Sequence, residues 1–262
     1  MKVALVAPPF HGRVRGLPLG LAYLAAVLAN AGFEVRAIDM TINGVGDDEL
    51  VELLHSFQPE VIGISVVCST YLEGIRVARV CKATLGGSVS VVMGGPHVAH
   101  SAEIILARHA DVDICVIGEA EETICDLTEA LSHDPAKIAS VRGIAFRDVF
   151  GIRLTPSRAL MENLDLLPLP SRHLFSMAAC PHFIEAFGIG SPNRVEMIAS
   201  RGCPYPCEFC STKEFWQRRY RKRSPENVLM ELEHLSQGGL PTSASLTTSL
   251  RSSATGFFNC AV

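Results

Sequence analysis

The sequence predicts an α/β fold in which a doubly wound, parallel five-stranded sheet is followed by the first strand and helix of a second domain. Two observations support this prediction. Short apolar runs rich in β-branched residues alternate with helical patterns five times before residue 133, which is typical of a parallel sheet with helices on both faces. Beyond a proline-rich stretch, one more strand pattern leads through a cysteine-rich loop into a helix pattern.

The elements of the first domain are set by hydrophobic periodicity. The predicted strands lie at 3–8, 34–40, 61–67, 89–95 and 113–119. The predicted helices lie at 20–31, 47–56, 71–84, 101–109 and 121–132. Each strand pattern is followed by a helix pattern, so successive strands are expected to run parallel.

Ligands of doubly wound sheets bind outside the carboxyl ends of the strands, and glycine there lets a backbone approach a ligand closely. The candidate binding residues are Gly94, Gly95, Pro96 and His97 after the fourth strand, and Gly118 and Glu119 after the fifth. By residue type alone, tight strand-to-helix turns are the favoured explanation of the glycines. Glu119 and Glu121 suit the positive end of the following helix dipole.

Four segments are expected along the chain. Residues 1–140 form the α/β domain, 141–192 a hairpin that finishes this domain and then a proline-rich linker, 193–238 the start of a second domain, and 239–262 a tail. Nine of the fifteen tail residues from Thr242 to Gly256 are Ser or Thr, and neither strand nor helix periodicity is present. We expect this tail to be disordered, because it cannot bury enough apolar surface.

The second domain begins with a strand pattern at 194–202 and continues with a helix at 224–235. Ser224 is a good N-cap residue, and Pro225 occupies the first helical position, where its missing N–H costs nothing. One strand, one long loop and one helix make the first unit of a larger structure.

Composition limits the classes of function. The chain has 262 residues, 48% of them apolar, and a formal net charge of -4 from 23 basic and 27 acidic side chains, so nothing at the level of the whole chain predicts a polyanionic partner. Pro8 and Pro9 end the apolar run at the N-terminus, and no apolar stretch is long enough to span a bilayer. We therefore expect a cytoplasmic protein without membrane partners.

Cysteine usage separates two groups of thiols. Four of the nine cysteines lie in or beside apolar segments and are expected to be reduced and buried: Cys68, Cys81, Cys115 and Cys125. A second group is clustered in RGCPYPCEFCST, where Cys203, Cys207 and Cys210 have the spacing C-x3-C-x2-C.

Three thiolates on one loop can hold three corners of an iron–sulfur cube and leave one iron open for a substrate or cofactor. Structural zinc would need a fourth protein ligand. Cys180 and His182 could supply that ligand, which keeps zinc as an alternative, although their spacing from the loop is irregular. The basic run RRYRKR at 218–223 raises a nucleic-acid hypothesis, but a short run in an acidic chain is more typical of a solvated segment.

CPYPCEFC resembles the signature of the radical S-adenosylmethionine enzymes. The resemblance implies that Cys203, Cys207 and Cys210 bind a [4Fe–4S] cluster, that Phe209 lies near the adenine of S-adenosylmethionine, and that an external electron donor such as flavodoxin or ferredoxin reduces the cluster. Reductive cleavage of the sulfonium then yields a 5′-deoxyadenosyl radical.

The first domain is similar to the cobalamin-binding domain of the B12-dependent radical enzymes. The segments that carry this resemblance are PLGLAYLA at 18–25, GGPH at 94–97, GEAE at 118–121 and WQRRYRKRSPENV at 216–228. The resemblance implies a Rossmann-like cobalamin domain followed by part of a TIM-type barrel. It also implies cobalamin contacts from the strand-end loops, including the six candidate binding residues. No D-x-H-x-x-G motif is present, so no axial histidine is expected.

For a complete member of this family, the resemblance implies a small-molecule substrate and methyl transfer to an unactivated carbon through the 5′-deoxyadenosyl radical and methylcobalamin. An eight-unit barrel takes about 250 residues, whereas 70 residues remain from Asn193, so the barrel is expected to be truncated. Two alternatives remain open at this point: a radical oxidative cyclase of the tetrapyrrole type, and a corrinoid-binding module whose cysteine loop is vestigial.

Overall fold

A seven-stranded sheet forms the centre of the first domain. The structure is a computed structural model that describes residues 1–11, 16–175, 195–208, 210, 215–237 and 244–246. The strands of the sheet are β1 (Lys2–Ala7), β2 (Glu34–Asp39), β3 (Val61–Ser65), β4 (Ser90–Gly94), β5 (Ile114–Val116), β6 (Ile144–Asp148) and β7 (Gly151–Leu154). Their spatial order is β2-β1-β3-β4-β5-β6-β7. Strands β1 to β5 run parallel, as the alternating sequence pattern predicted.

The sheet is larger than the five strands predicted from the sequence. Strands β6 and β7 form a hairpin that adds to β5 in antiparallel register, with Cys115 opposite Ala145. The hairpin therefore finishes the first domain, as expected from its sequence pattern. Ile144 and Ala145 are fully buried, and the hairpin covers the edge that β5 would otherwise leave unpaired.

Helices cover both faces of the sheet, as expected for a doubly wound fold. They are α1 (Leu19–Asn30), α2 (Asp47–Phe57), α3 (Tyr71–Leu85), α4 (Ala102–Arg108) and α5 (Glu121–His133). In β1, Val3 and Leu5 pack in the same cluster as residues of α1 and α5. Ala4 and Val6 of the same strand pack in the cluster formed with α2, α3 and α4, because successive side chains of a strand point to opposite faces.

In the residues that the structure describes, the second domain contributes short strands and the helix that follows Ser224. These are β8 (Val195–Met197), β9 (Ser200–Arg201), β10 (Arg221–Lys222), α6 (Pro225–Gln237) and β11 (Ala244–Leu246). The single strand predicted at 194–202 is thus two short strands, of which β9 pairs antiparallel with β10. The backbone N–H of Asn227 donates to Ser224 Oγ at 3.1 Å, which confirms Ser224 as the N-cap of α6.

Strand β11 lies at 244–246, the part of the predicted tail that the structure describes. It pairs parallel with β8, with Ala244 opposite Val195 and Leu246 opposite Met197. The order β8-α6-β11 is a strand–helix–strand unit of the kind that builds α/β barrels. No helix in the described ranges is long and apolar enough to cross a membrane.

Burial separates the thiols differently from the sequence prediction. Cys81 and Cys115 are buried as expected, and burial raises the pKa of each to about 12. Cys125 is half-buried, and burial raises its pKa to about 11. Cys68 is exposed, so the prediction that it is buried is wrong: it lies just beyond the carboxyl end of β3 rather than inside the strand.

Gly95 is required by a close backbone approach. Its φ is +103°, and a Cβ placed there would lie 2.4 Å from the carbonyl oxygen of Val66. We predict that Gly95→Ala lowers the free energy of unfolding by about 3 kcal/mol, because strain at positive φ and overpacking each cost about 1–3 kcal/mol. Gly32→Ala is the matched control, since Gly32 has a φ of +86° in open space. Equal losses in urea denaturation would contradict this explanation.

Thiol reactivity should follow exposure and thiolate formation. In the folded, metal-free protein we expect rapid alkylation of the exposed Cys68 and Cys207, and modification of Cys81 and Cys115 only after unfolding. Peptide mass spectrometry after timed alkylation measures both classes. Rapid native-state labelling of Cys81 would show that its strand–helix interface opens readily.

Candidate functional site

A cavity opens at the carboxyl edge of the sheet between β1 and β3. Its volume is about 340 Å³, and its lining includes Ala7, Gly16, Gly20, Ser65, Val67 and Thr70. The strand order reverses here, because β2 lies on one side of β1 and β3 on the other. Such reversal points are where doubly wound folds bind their ligands. None of these six residues is among the candidate binding residues, which follow β4 and β5. The general rule that ligands bind beyond the carboxyl ends of the strands was the sequence signal that pointed to the cavity residues.

The predicted residues after β4 lie at the same edge but are largely occupied by packing. Gly94 and Gly95 shape the turn, and a Cβ at Gly94 would lie 3.7 Å from Val116. The structure thus supports the turn explanation of these glycines, and Pro96 continues the same turn. Cofactor contacts from Gly94, Gly95 and Pro96 stay predictions.

His97 contacts side chains of the neighbouring strand end. Its ring lies 4.4 Å from that of Tyr71, and its Nδ1 is 3.4 Å from Cys68 Sγ. Burial, with a smaller contribution from the charge of His100, lowers the pKa of His97. The neutral imidazole is therefore favoured at neutral pH, and its contact with a cofactor stays a prediction.

Gly118 and Glu119, the predicted residues after β5, differ in their surroundings. Gly118 has a φ of +87° and open space where a Cβ would stand, so its backbone is accessible to a ligand. Glu119 lies instead in a cluster of buried ion pairs with the second domain. Arg201 Nη1 donates to Glu119 Oε1 at 3.0 Å, and Arg221 Nη1 donates to Glu119 Oε2 at 2.7 Å.

Glu121 completes this group, which we call the arginine–carboxylate cluster: Glu119, Glu121, Arg201 and Arg221. Arg201 Nη2 donates to Glu121 Oε1 at 2.6 Å. All four side chains are at most 8% exposed. Burial would lower the pKa of Arg201, but the two carboxylates outweigh burial and raise it. The arginine is therefore always charged.

Aromatic rings enclose the arginines of the cluster. The Arg201 guanidinium lies 5.3 Å from the ring centre of Tyr23 and 5.9 Å from that of Trp216. The Arg221 guanidinium lies 5.4 Å from the Trp216 ring. These distances permit cation–π attraction, so Trp216 packs against both arginines beside the cysteine loop.

The basic run at 218–223 is only partly the solvated segment that we expected. Lys222 is exposed, whereas Arg221 and Arg223 are buried. Arg223 and Arg172 both hold Glu231 of α6, whose side chain is fully buried. The alternation follows the strand period of β10. The partner of Arg221, Glu119, lies 102 residues away, so the run itself could not reveal it.

The cysteine loop follows the arginine–carboxylate cluster immediately along the chain. Gly202 separates Arg201 from Cys203 and has a φ of +89°, with the carbonyl of Arg219 where a Cβ would stand. Cys203 is buried, Cys207 exposed and Cys210 half-buried. The Cys210 N–H donates to the Cys207 carbonyl at 3.2 Å, which places the last two cysteines on one turn.

The ligand set of the loop stays a prediction. In the part of the chain that the structure describes, no three His, Cys, Asp or Glu side chains are grouped so as to hold a metal ion. Phe209, expected near the adenine, and the alternative zinc ligands Cys180 and His182 lie outside the described residues.

Glu119 gives the cluster a pH dependence. Burial would raise its pKa, but hydrogen bonds and charge from Arg221 and Arg201 hold the pKa below its ordinary value of 4.5. A carboxylate with a lowered folded pKa stabilises the fold above its unfolded pKa, and that contribution is lost as pH falls through the folded value. We predict that Glu119→Gln lowers the free energy of unfolding at neutral pH by about 3–5 kcal/mol.

The same substitution should flatten the acid limb of the stability profile, measured by urea denaturation between neutral pH and the point of acid unfolding. Glu122→Gln is the control, because Glu122 pairs with Arg158 at the surface and is 56% exposed; its cost should stay below about 1 kcal/mol. An unchanged acid limb in Glu119→Gln would contradict the role given to the ion pairs.

The arrangement agrees with sequence and structural relatives. A B12 binding domain matches residues 13–128. An uncharacterized methyltransferase of Pyrococcus horikoshii is 32% identical over 241 residues, which cover 90% of this chain and 50% of that protein. The anaerobic magnesium-protoporphyrin IX monomethyl ester cyclase of Cereibacter sphaeroides is 27% identical over 245 residues, covering 90% of this chain and 38% of the cyclase.

A solved structure has the same fold at low sequence identity. TsrM from Kitasatospora setae, a radical S-adenosylmethionine methyltransferase, aligns with a TM-score of 0.70 and 20% identity, covering 95% of this chain and 47% of TsrM. The chain spans about half the length of the curated relatives that it matches most fully. Residues 13–128 thus match a B12 binding domain, and the chain is similar over most of its length to a methyltransferase and a cyclase and shares the fold of TsrM.

Proposed function

We propose that this chain holds cobalamin, a [4Fe–4S] cluster and S-adenosylmethionine, and that it belongs to an enzyme transferring a methyl group to an unactivated carbon of a small molecule. The observation that carries the proposal is the direct connection between two features. A B12-binding domain has its strand-end cavity at the carboxyl edge, and buried ion pairs join that same edge to Arg201, two residues before Cys203.

The cavity between β1 and β3 fits a ligand held by backbone and small side chains. Gly20 has open space around its Cα, and Ser65 and Thr70 supply hydroxyl groups. Gly118 leaves further backbone exposed at the same edge of the sheet. Cobalamin bound here would lie against glycine and hydroxyl groups, with the side chain of Val67, which is 43% exposed, offering an apolar contact.

The cysteine loop fits an iron–sulfur cluster by its donor chemistry. Three thiols would hold three irons, and the described residues of the loop offer no fourth thiol or imidazole. When bound, the cluster with S-adenosylmethionine supplies a 5′-deoxyadenosyl radical, and cobalamin supplies the methyl group. Cys203 is buried, and Gly202 before it packs against the Arg219 carbonyl and Trp216, so water has little access to this end of the loop.

An external one-electron donor such as flavodoxin or ferredoxin is part of the proposal, because S-adenosylmethionine cleavage consumes an electron. The exposed Cys207 and Tyr205 place the outer part of the loop at the surface of the described chain. A donor can therefore approach the loop from that side without opening the sheet.

Oxidative cyclisation is the second candidate activity, since one relative is a magnesium-protoporphyrin IX monomethyl ester cyclase. The two chemistries differ in their by-products. Methyl transfer from S-adenosylmethionine leaves S-adenosylhomocysteine, and generation of the radical leaves 5′-deoxyadenosine. A methylating enzyme releases both compounds, whereas a radical cyclase releases 5′-deoxyadenosine without S-adenosylhomocysteine.

Cofactor uptake tests the proposal directly. After anaerobic incubation with iron and sulfide we expect about four irons and four sulfides per chain, with broad visible absorption that Cys207→Ser abolishes. Cys68→Ser is the matched control, since Cys68 is also exposed but lies outside the loop. Zinc or no metal at these thiols would overturn the cluster assignment and favour a corrinoid carrier with a vestigial loop.

Cobalamin retention tests the cavity. Gly20→Phe should abolish retention of hydroxocobalamin on gel filtration, because the new ring fills the space between β1 and β3. Gly87→Phe is the control: Gly87 also has open space, but it precedes β4 and so lies at the opposite edge of the sheet. Equal retention by both variants would place the corrinoid elsewhere.

A further inference from the structure

The arginine–carboxylate cluster joins the B12-binding domain to the start of the second domain at one point. Glu119 and Glu121 follow β5 of the first domain, whereas Arg201 and Arg221 lie in paired strands of the second. Glu119 receives hydrogen bonds from both arginines, and its Oε2 also accepts the backbone N–H of Met161 at 3.0 Å. Three separate segments of the chain therefore meet at one carboxylate.

The connection to the cysteine loop is short and stiff. Arg201 and Arg221 are Cα partners in the β9–β10 ladder, so neither strand can shift without moving both guanidinium groups. Gly202 follows at a positive φ with the Arg219 carbonyl packed against its Cα. Only this glycine separates Arg201 from Cys203, and holding Arg201 therefore holds the first cysteine.

Stabilisation of the contact between the domains does not by itself account for the arginine–carboxylate cluster. Burying an ion costs several kcal/mol, and well-packed apolar side chains often stabilise a fold as well as a buried ion pair does. What buried ion pairs add is geometry, because a guanidinium bonded to two carboxylates accepts only one orientation. Arg201 meets this condition, with Glu119 at 3.0 Å and Glu121 at 2.6 Å.

We propose that Glu119 and Glu121 are positioning residues that, through Arg201 and Arg221, fix the cysteine loop over the carboxyl edge of the seven-stranded sheet. The importance of this placement for the reaction rests on the proposed function, because the position of the loop sets the distance between the iron–sulfur cluster and the corrinoid. The placement of the loop itself is a property of the chain without cofactors.

Hydrogen–deuterium exchange of the full, cofactor-free chain tests the placement. In the double variant Glu119→Gln/Glu121→Gln, peptides covering 195–208 and 215–223 should exchange at least roughly tenfold faster, because their anchor to the first domain is lost. Peptides of β1 and β3 should keep their exchange rates. The matched control is Glu122→Gln/Asp126→Asn, which removes two exposed carboxylates from Arg158, and it should leave both loop peptides unchanged.

Two results would overturn the proposal: loop peptides that exchange as slowly in the double variant as in the control, or an equal acceleration in every peptide of the chain. The second result would make the cluster a general stabiliser. If the double variant does not fold, Arg201→Lys replaces it, since lysine keeps the charge but cannot bond both carboxylates in a fixed fork. The same local acceleration is then expected.

A spectroscopic measurement tests the consequence for the cofactors. In protein loaded with both groups, pulsed electron paramagnetic resonance between the reduced cluster and cob(II)alamin should give a narrow distance distribution in the wild type and the Arg158-site control, and a broad one in Glu119→Gln/Glu121→Gln. Equal widths would overturn the proposal. Failure of the wild type to load either group would count against the proposed function, while the exchange experiment would still decide the placement.

Discussion

The contact between the two domains depends on a few buried charges. Glu119 and Glu121 of the first domain neutralise Arg201 and Arg221 of the second. Glu231 pairs with Arg223 of its own domain and also binds Arg172 of the preceding linker. Such groups cannot be buried singly without a large desolvation cost, so each domain is complete at this surface only when the other is in place. Cys203, the first cysteine of the loop, lies two residues after Arg201. The loop therefore takes its position from the buried ion pairs of Arg201.

The carboxyl edge of the sheet combines closed and open backbone. Gly95 is closed, because Val66 occupies the space where a side chain would stand, whereas Gly118 and Gly20 have open space. Glycines of similar sequence context thus have different roles: Gly95 permits strand–turn packing, and the other two leave room for a ligand. The cavity lies between β1 and β3, where the strand order reverses. The chain leaves these two strands in opposite directions, which leaves space between their loops.

Relatives of this chain carry out different reactions on a shared framework. A methyltransferase and a tetrapyrrole cyclase both match over most of the present sequence, which covers only about half or less of each of them. The shared region therefore comprises the B12-binding domain and the cysteine loop.

The sequence by itself determined the five parallel strands, their helices, the N-cap at Ser224 and the cysteine loop, because hydrophobic period, cap chemistry and ligand spacing are local properties. Only the tertiary structure decided that β6 and β7 extend the sheet, that β11 pairs with β8, and that Cys68 is exposed. It also decided that Glu119 binds arginines 82 and 102 residues away. Long-range partners leave no periodic trace in a single sequence, since any buried carboxylate can pair with any arginine that the fold brings within reach.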